Sequence, residues 1–262
     1  MHEIRRLGAG HGLEWVTTGW DIFRREPGMF VLLFLVFILI SFLVGLLPLV
    51  GTLLTLLITP ALTGGLLLAV ETASRGKSPS FENLFAGLTD TSRRNRMLTL
   101  GLWTLIANVL VWLVAMLLGG SFIMSLMGFG AMGAGHMGGM ALAGAGAGIG
   151  LSALLLALLL YVIYASALFF ATPLVMLAGM EPLAALKLSL RANLYNIGAW
   201  VIFALVYLAL VVIALIPAGL GLLIVGPMSI ASAYCAYLDT FTNLPGKVDP
   251  AAGDALPNGK AE

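Results

Sequence analysis

Charged side chains are missing from three long stretches of this chain, residues 27–70, 97–180 and 192–238. All 13 Lys and Arg and all 12 Asp and Glu fall outside them, at 3–26, 71–96, 181–191 and 239–262. Only 10% of the residues are charged, against about 25% in a soluble domain, which excludes an ordinary water-soluble globule. The single cysteine, Cys235, excludes an intramolecular disulfide and any multi-cysteine metal site. A net charge of +1 gives no electrostatic case for a nucleic-acid partner. Alternation of apolar and polar residues is also missing from the apolar runs, which disfavours a transmembrane β-barrel.

Continuous apolar sequence fills the charge-free stretches. A membrane-spanning helix needs about 20 apolar residues. The first and third stretches therefore each hold two spans and a tight turn, and the middle one holds two spans and a surplus of uncharged residues. The expected fold is an all-α polytopic membrane bundle of six transmembrane helices arranged as three hairpins. The spans are placed at about 29–47, 52–70, 98–118, 152–176, 199–216 and 219–238. Residues 1–240 form one transmembrane domain. The polar segment after Asp239, rich in Pro, Gly and Ala, is expected to be a disordered tail over 241–262. No A-x-A-like site follows a short apolar run near residue 29, so the first span is expected to remain as an anchor.

An even number of spans returns the chain to its starting side, so all four charged stretches share one side. Lys and Arg concentrate in short cytoplasmic loops; both termini are therefore expected in the cytoplasm. Arg5, Arg6, Arg24 and Arg25 precede the first span, while Arg75, Lys77, Arg93, Arg94 and Arg96 separate the second from the third. Lys187 and Arg191 separate the fourth from the fifth. The clusters Arg24-Arg25 and Arg93-Arg94-x-Arg96 are candidates for anionic lipid headgroups, or serve only to fix topology.

A short amphipathic stretch introduces each pair of spans. Leu13, Val16, Trp20 and Phe23 recur at helical spacing in the first, and Phe81, Leu84, Phe85 and Leu88 in the second. Ser78-Pro79 is the expected cap and first helical position of the second stretch. Leu183, Leu186, Leu190 and Leu194 line the third. These stretches are expected to lie in the membrane interface, with Trp15 and Trp20 at headgroup level. Gly28, Gly101 and Gly198 open the first span of each pair, and Pro60, Pro173 and Pro227 fall inside the second. This predicts a degenerate threefold repeat about an axis along the membrane normal, although Gly and Pro are common in transmembrane helices generally.

No Asp, Glu, Lys or Arg lies within a predicted span, and an intramembrane charge is the usual mark of an ion path or proton relay. The same absence removes the carboxylate and His–carboxylate sets of general acid–base catalysis, so no catalytic residue and no cofactor site is assigned. Polar groups inside the spans are Asn108, Ser152, Ser166, Ser229 and Ser232, with Tyr161, Tyr164, Tyr207, Tyr234 and Tyr237. Their expected role is hydrogen bonding between helices. The surplus segment 119–150 is rich in Gly and Met, with Gly144 and Gly148 at the spacing that lets helices approach closely. It reads as a connector, a re-entrant piece or a helix extension. Its Met132, His136, Met137 and Met140 form a soft donor set that suits Cu(I), against the plainer reading of methionines filling an apolar surface.

Gly19-Trp20-x-x-Phe23, Pro27-Gly28, Leu47-Pro48-x-x-Gly51, Leu84-Phe85-Ala86-Gly87, Phe170-x-x-Pro173, and Ser189-Leu190 with Asn196 form a set. In this set the chain resembles a family of uncharacterised multi-pass proteobacterial inner-membrane proteins, over about residues 13–240. The resemblance implies the six-span layout and an inner-membrane location, and brings no substrate, cofactor or catalytic residue. The leading functional reading is a non-enzymatic scaffold or accessory protein acting through lipids, a protein partner or a second copy of itself. The alternative is a transporter or channel for an uncharged or amphipathic small molecule, with its path between the Pro-containing second spans. Cu(I) binding at the outer face comes third and a membrane enzyme last. The copper reading predicts that replacing Met132, His136, Met137 and Met140 with Ala abolishes Cu(I) binding; a titration with affinity unchanged ends it.

Overall fold

The computed structural model describes residues 3–48, 50–131 and 138–242. A two-residue strand β1 (Glu3–Ile4) leads into helices α1 (His11–Phe23), α2 (Pro27–Gly45) and α3 (Val50–Ser74). Next come α4 (Phe81–Thr89), α5 (Thr91–Ala131) and α6 (Gly138–Met176). The chain continues through α7 (Pro182–Tyr195), α8 (Ile197–Leu215) and α9 (Leu222–Thr240) to β2 (Phe241–Thr242), which pairs antiparallel with β1. Six of the helices are long and apolar enough to cross a membrane: α2, α3, α5, α6, α8 and α9. A short helix precedes each pair, as expected. The protein is a polytopic helical bundle.

The ends of the helices follow local chemistry. Pro27 and Pro182 open α2 and α7, where a missing N–H costs nothing. The cap of α4 lies two residues beyond the expected Ser78-Pro79: the Ser80 backbone N–H donates to the Asn83 side chain at 2.8 Å. Asp90 starts α5 by accepting from the Ser92 backbone N–H at 2.9 Å and from its hydroxyl at 2.7 Å. Those hydrogen bonds, with Arg93 nearby, hold the Asp90 carboxyl below its usual range. Its capping contribution is therefore present above the ordinary carboxylate range and is lost as pH falls through the lowered value.

Two helices run well beyond the expected spans. α5 runs for 41 residues and α6 for 39, about 60 Å each at 1.5 Å per residue, twice the hydrocarbon thickness of about 30 Å. On the described residues the surplus segment 119–150 is thus mostly helix extension. Hydropathy marks where a span meets lipid, whereas a helix continues as long as its backbone groups pair with one another. For the same reason charged residues occur on these helices past the expected spans: α3 continues through Glu71 and α9 through Asp239. Met132, His136 and Met137 lie outside the described residues, as does the tail beyond residue 242.

The proline-containing helices α3, α6 and α9 pack against one another, with Pro60, Pro173 and Pro227 buried. Each short helix rests on one of the three: α4 on α3, α7 on α6, and α1 on α9. Small residues make these contacts. A Cβ added to Gly19 of α1 would stand 2.1 Å from Ser232 Oγ and 2.7 Å from Ser232 Cα of α9. One added to Gly65 of α3 would stand 2.0 Å from the Leu84 carbonyl oxygen of α4. In α7 the buried stripe is Ala185, Ser189, Ala192 and Asn193, and the Ser189 hydroxyl donates to the Ser166 carbonyl of α6 at 2.8 Å. Leu183 and Leu194, expected on one line of that helix, are exposed instead. Lipid solvates leucine as well as the protein interior does, so small residues mark the inward face. Gly19→Val should therefore lower the thermal midpoint in detergent by several degrees, since overpacking costs about 1–3 kcal/mol. Gly28→Ala, with open space around it, should leave the midpoint unchanged.

Candidate functional site

Two cavities are candidates, one inside the bundle and one where its helices emerge. The inner cavity holds about 360 Å³ between α3, α5, α6, α8 and α9. It touches Pro60, and Thr172 and Ser229, one and two residues along the chain from Pro173 and Pro227, also line it. Aliphatic and aromatic side chains such as Leu67, Leu168, Phe169 and Phe203 form most of its wall. Hydroxyls from Thr59, Thr63, Thr104, Tyr164, Thr172 and Ser229 interrupt it. No Asp, Glu, Lys, Arg or His lines it.

The hydroxyls carry a definite hydrogen-bond polarity. Thr59 donates to the Thr55 carbonyl at 2.6 Å, Thr104 to that of Leu100 at 3.0 Å, and Ser229 to that of Gly226 at 2.6 Å. Each has spent its proton on its own helix and keeps its oxygen as an acceptor. Tyr164 works the other way. Asn108 of α5 donates to its phenol oxygen at 2.6 Å, which leaves the Tyr164 O–H as a donor. The wall therefore offers a donor and several acceptors, which suits an uncharged molecule with a few polar atoms.

The second cavity, about 460 Å³, lies between α1 and the ends of α3 and α9. Its anchor is Asp239, in the last turn of α9. A carboxylate there faces the negative end of the helix dipole and needs compensating donors. Trp15 Nε1 donates to Oδ2 at 2.9 Å, His11 Nδ1 lies 2.8 Å from the same oxygen, and Arg5 reaches Oδ1 at 3.1 Å. Trp15 is thus buried at 3% exposure: its indole N–H finds its partner inside the protein. Trp20, at 42% exposure, remains on the outer face.

The chain closes on itself at this point. The Arg5 N–H donates to the Thr240 carbonyl at 2.9 Å. Asn196, between α7 and α8, accepts from the Leu7 N–H at 2.8 Å and donates to the Arg5 carbonyl at 2.9 Å. Charge patterning alone did not single out Asp239, because the carboxylate sits at the edge of a charged stretch.

The remaining polar residues mostly join helices. Ser232 meets Tyr207 at 2.8 Å, and Tyr234 meets Ser74 at 3.2 Å. Asn193 donates to the Ser166 carbonyl at 2.7 Å. Among the arginines proposed for lipid, Arg24 pairs with Asp21 and Arg93 with Asp90. Arg96 binds the Gly179 and Ser92 carbonyls. Cys235 is a buried free thiol. Among the described residues, no three His, Cys, Asp or Glu side chains gather as metal ligands would.

Six spans, the short helices and an uncharged intramembrane cavity define a multi-pass helical membrane protein. Comparison with known families is in keeping: the chain belongs to the family described as a domain of unknown function (DUF7847), which matches residues 13–254. It is 30% identical to a probable inner membrane protein of Burkholderia thailandensis, over 98% of both chains. No solved structure matches it.

Removing one member of a part-buried hydrogen-bonded group leaves the others unpaired, at about 1–3 kcal/mol each. Asp239→Ala strands the Trp15 N–H, so it should lower the thermal midpoint clearly more than Asp21→Ala, whose single exposed pair is worth less than about 1 kcal/mol. A thermal scan of both variants in one detergent checks the order.

Proposed function

We propose that this protein binds an uncharged amphipathic small molecule within the bilayer and serves as a carrier or channel for it. The observation that carries the reading is the cavity of about 360 Å³ lined by Pro60 between the three proline-containing helices. Its size falls within the range of small-molecule sites, about 300–1,000 Å³. A bundle closed at its centre would have favoured a scaffold. The mixed wall of aliphatic groups and hydroxyls, without an Asp, Glu, Lys, Arg or His side chain, matches a ligand with an apolar body and few polar atoms. Prolines free backbone groups and weaken the helix locally. Pro60, Pro173 and Pro227 are therefore the natural places for α3, α6 and α9 to bend as a ligand passes.

A scaffold or accessory role is the second reading, supported by the α5–α6 pair, which outruns the bilayer by about 30 Å. Both readings place the protein in the bacterial inner membrane, in line with its relative's description. Both also place the Lys- and Arg-bearing ends in the cytoplasm, as the positive-inside rule directs. The packing of α4 on α3, α7 on α6 and α1 on α9 supports reading the chain as three copies of one unit. No enzymatic role is proposed.

Native mass spectrometry of protein extracted from its membranes in mild detergent tests the ligand. An uncharged amphiphile should be retained, and Ala165→Trp, which fills the cavity from α6, should expel it while the protein stays folded. Retention unchanged in that variant would refute the carrier reading.

A further inference from the structure

We propose that the ligand of the inner cavity is a lipophilic carbonyl compound, a ketone or quinone, whose oxygen accepts from the Tyr164 hydroxyl, with Thr63 as a second donor. The inference rests on the carrier reading and names the substrate class of that same cavity.

Protons decide the class. A hydroxyl has one proton to give and lone pairs to receive. Thr59, Thr104 and Ser229 give theirs to carbonyls of their own helices, and Thr172 turns to the Leu168 carbonyl at 3.5 Å. Two hydroxyls of the wall differ. Thr63 on α3 lines the cavity with no hydrogen-bond partner among the described residues. Tyr164 on α6 receives from Asn108 of α5 at 2.6 Å.

A third group fixes the direction of that bond. Asn108 Nδ2 also faces the Thr104 carbonyl at 3.5 Å. A carbonyl can only accept, so the amide presents its nitrogen here and not its oxygen. Tyr164 is therefore the receiver, and its own proton is left for another acceptor.

Depth makes that proton matter. The apolar part of α6 that can cross the bilayer is Leu155–Met176. Tyr164 lies near its middle, about 13 Å or more from either end at 1.5 Å per residue. Hydrocarbon fills the bilayer at that depth and offers no acceptor. An O–H buried without an acceptor is costly, so a ligand that supplies one gains what the empty cavity lacks.

A carbonyl brings acceptor lone pairs and no proton. An alcohol brings a proton of its own and so adds a donor to a wall whose unspent groups are donors. An amine or a carboxylic acid brings charge, and no Asp, Glu, Lys, Arg or His lines the cavity to balance it. The rings of Phe169 and Phe203, both in the wall, meet edge to face at 5.3 Å. A conjugated body would extend that aromatic contact.

The test uses full-length protein in detergent and three probes of one shape: benzophenone, diphenylmethanol and diphenylmethane. They carry a carbonyl, a hydroxyl and neither. Benzophenone affinity is read from the saturation of its photo-cross-linking to the cavity wall, and the other two are read as competitors at known mole fraction in the micelle. Benzophenone should bind about tenfold tighter than diphenylmethane, the worth of one hydrogen bond to an otherwise unmet donor, and tighter than diphenylmethanol. Tyr164→Phe should bring benzophenone down to the level of diphenylmethane, and Thr63→Val should weaken it by a smaller factor. Unchanged diphenylmethane binding in both variants reports an intact cavity. Equal affinities for the three probes, tighter binding of the alcohol, or a benzophenone preference that survives Tyr164→Phe overturns the inference and leaves the carrier reading standing. Binding of none of the three, or binding that persists in Ala165→Trp, overturns both.

Discussion

Close approach of backbone to backbone holds this bundle together. In water a helix would be drawn inward by its leucines, but lipid solvates those side chains equally well, and what remains is contact area, a few hydrogen bonds and the lack of bulk between helices. Gly19 against Ser232 and Gly65 against Leu84 are where that requirement is sharpest. Each lets a short helix settle onto a proline-containing span. Once α1, α4 and α7 are seated, the ends of α9, α3 and α6 are fixed, and so are both cavities. In α7 a hydroxyl does part of this work: Ser189 donates to the Ser166 carbonyl and accepts from the Phe170 N–H at 3.0 Å. Such bonds contribute on average only about 0.6 kcal/mol in a membrane, so they select the register of a contact that surface complementarity stabilises.

The residues that carry the family resemblance fall largely on these contacts. Gly19 meets α9, Gly87 stands within 2.5 Å, at its would-be Cβ, of the Ala61 carbonyl oxygen, and Ser189 bonds to α6. Asn196 ties the amino-terminal segment to the junction of α7 and α8. Their joint meaning is architectural: they describe how three short helices are seated and how the ends of the chain are joined. That explains why so recognisable a set points to a fold and to no reaction.

The number of spans was legible from the charge map because charge and lipid exclude each other. The order of elements was legible too, since Pro and Gly punctuate it. Three features were not. The length of α5 and α6 escaped because hydropathy measures lipid contact and not helix continuity. The inward face of α7 escaped because apolar periodicity was read as though water were outside; Ala185, Ser189 and Ala192 point in and Leu194 points out. The Asp239 cluster escaped because its donors, Arg5, His11 and Trp15, lie more than two hundred residues away, and no local pattern connects them.

The two cavities divide the protein's polar groups by kind. Hydroxyls line the inner cavity and formal charges line the rim, with no Asp, Glu, Lys, Arg or His among the residues around the inner space. A proton or metal ion entering the inner cavity would meet no charged side chain among those that line it, and stripping its water would cost several kcal/mol or more. A neutral amphiphile has no such barrier: its apolar part exchanges lipid for Leu67, Phe169 and Phe203, and its polar atoms exchange water for Tyr164 and the threonines. The absence of charge inside and its presence outside thus have one cause. The bilayer makes charge costly at depth and inexpensive at the surface, and each cavity is lined with the groups its depth permits.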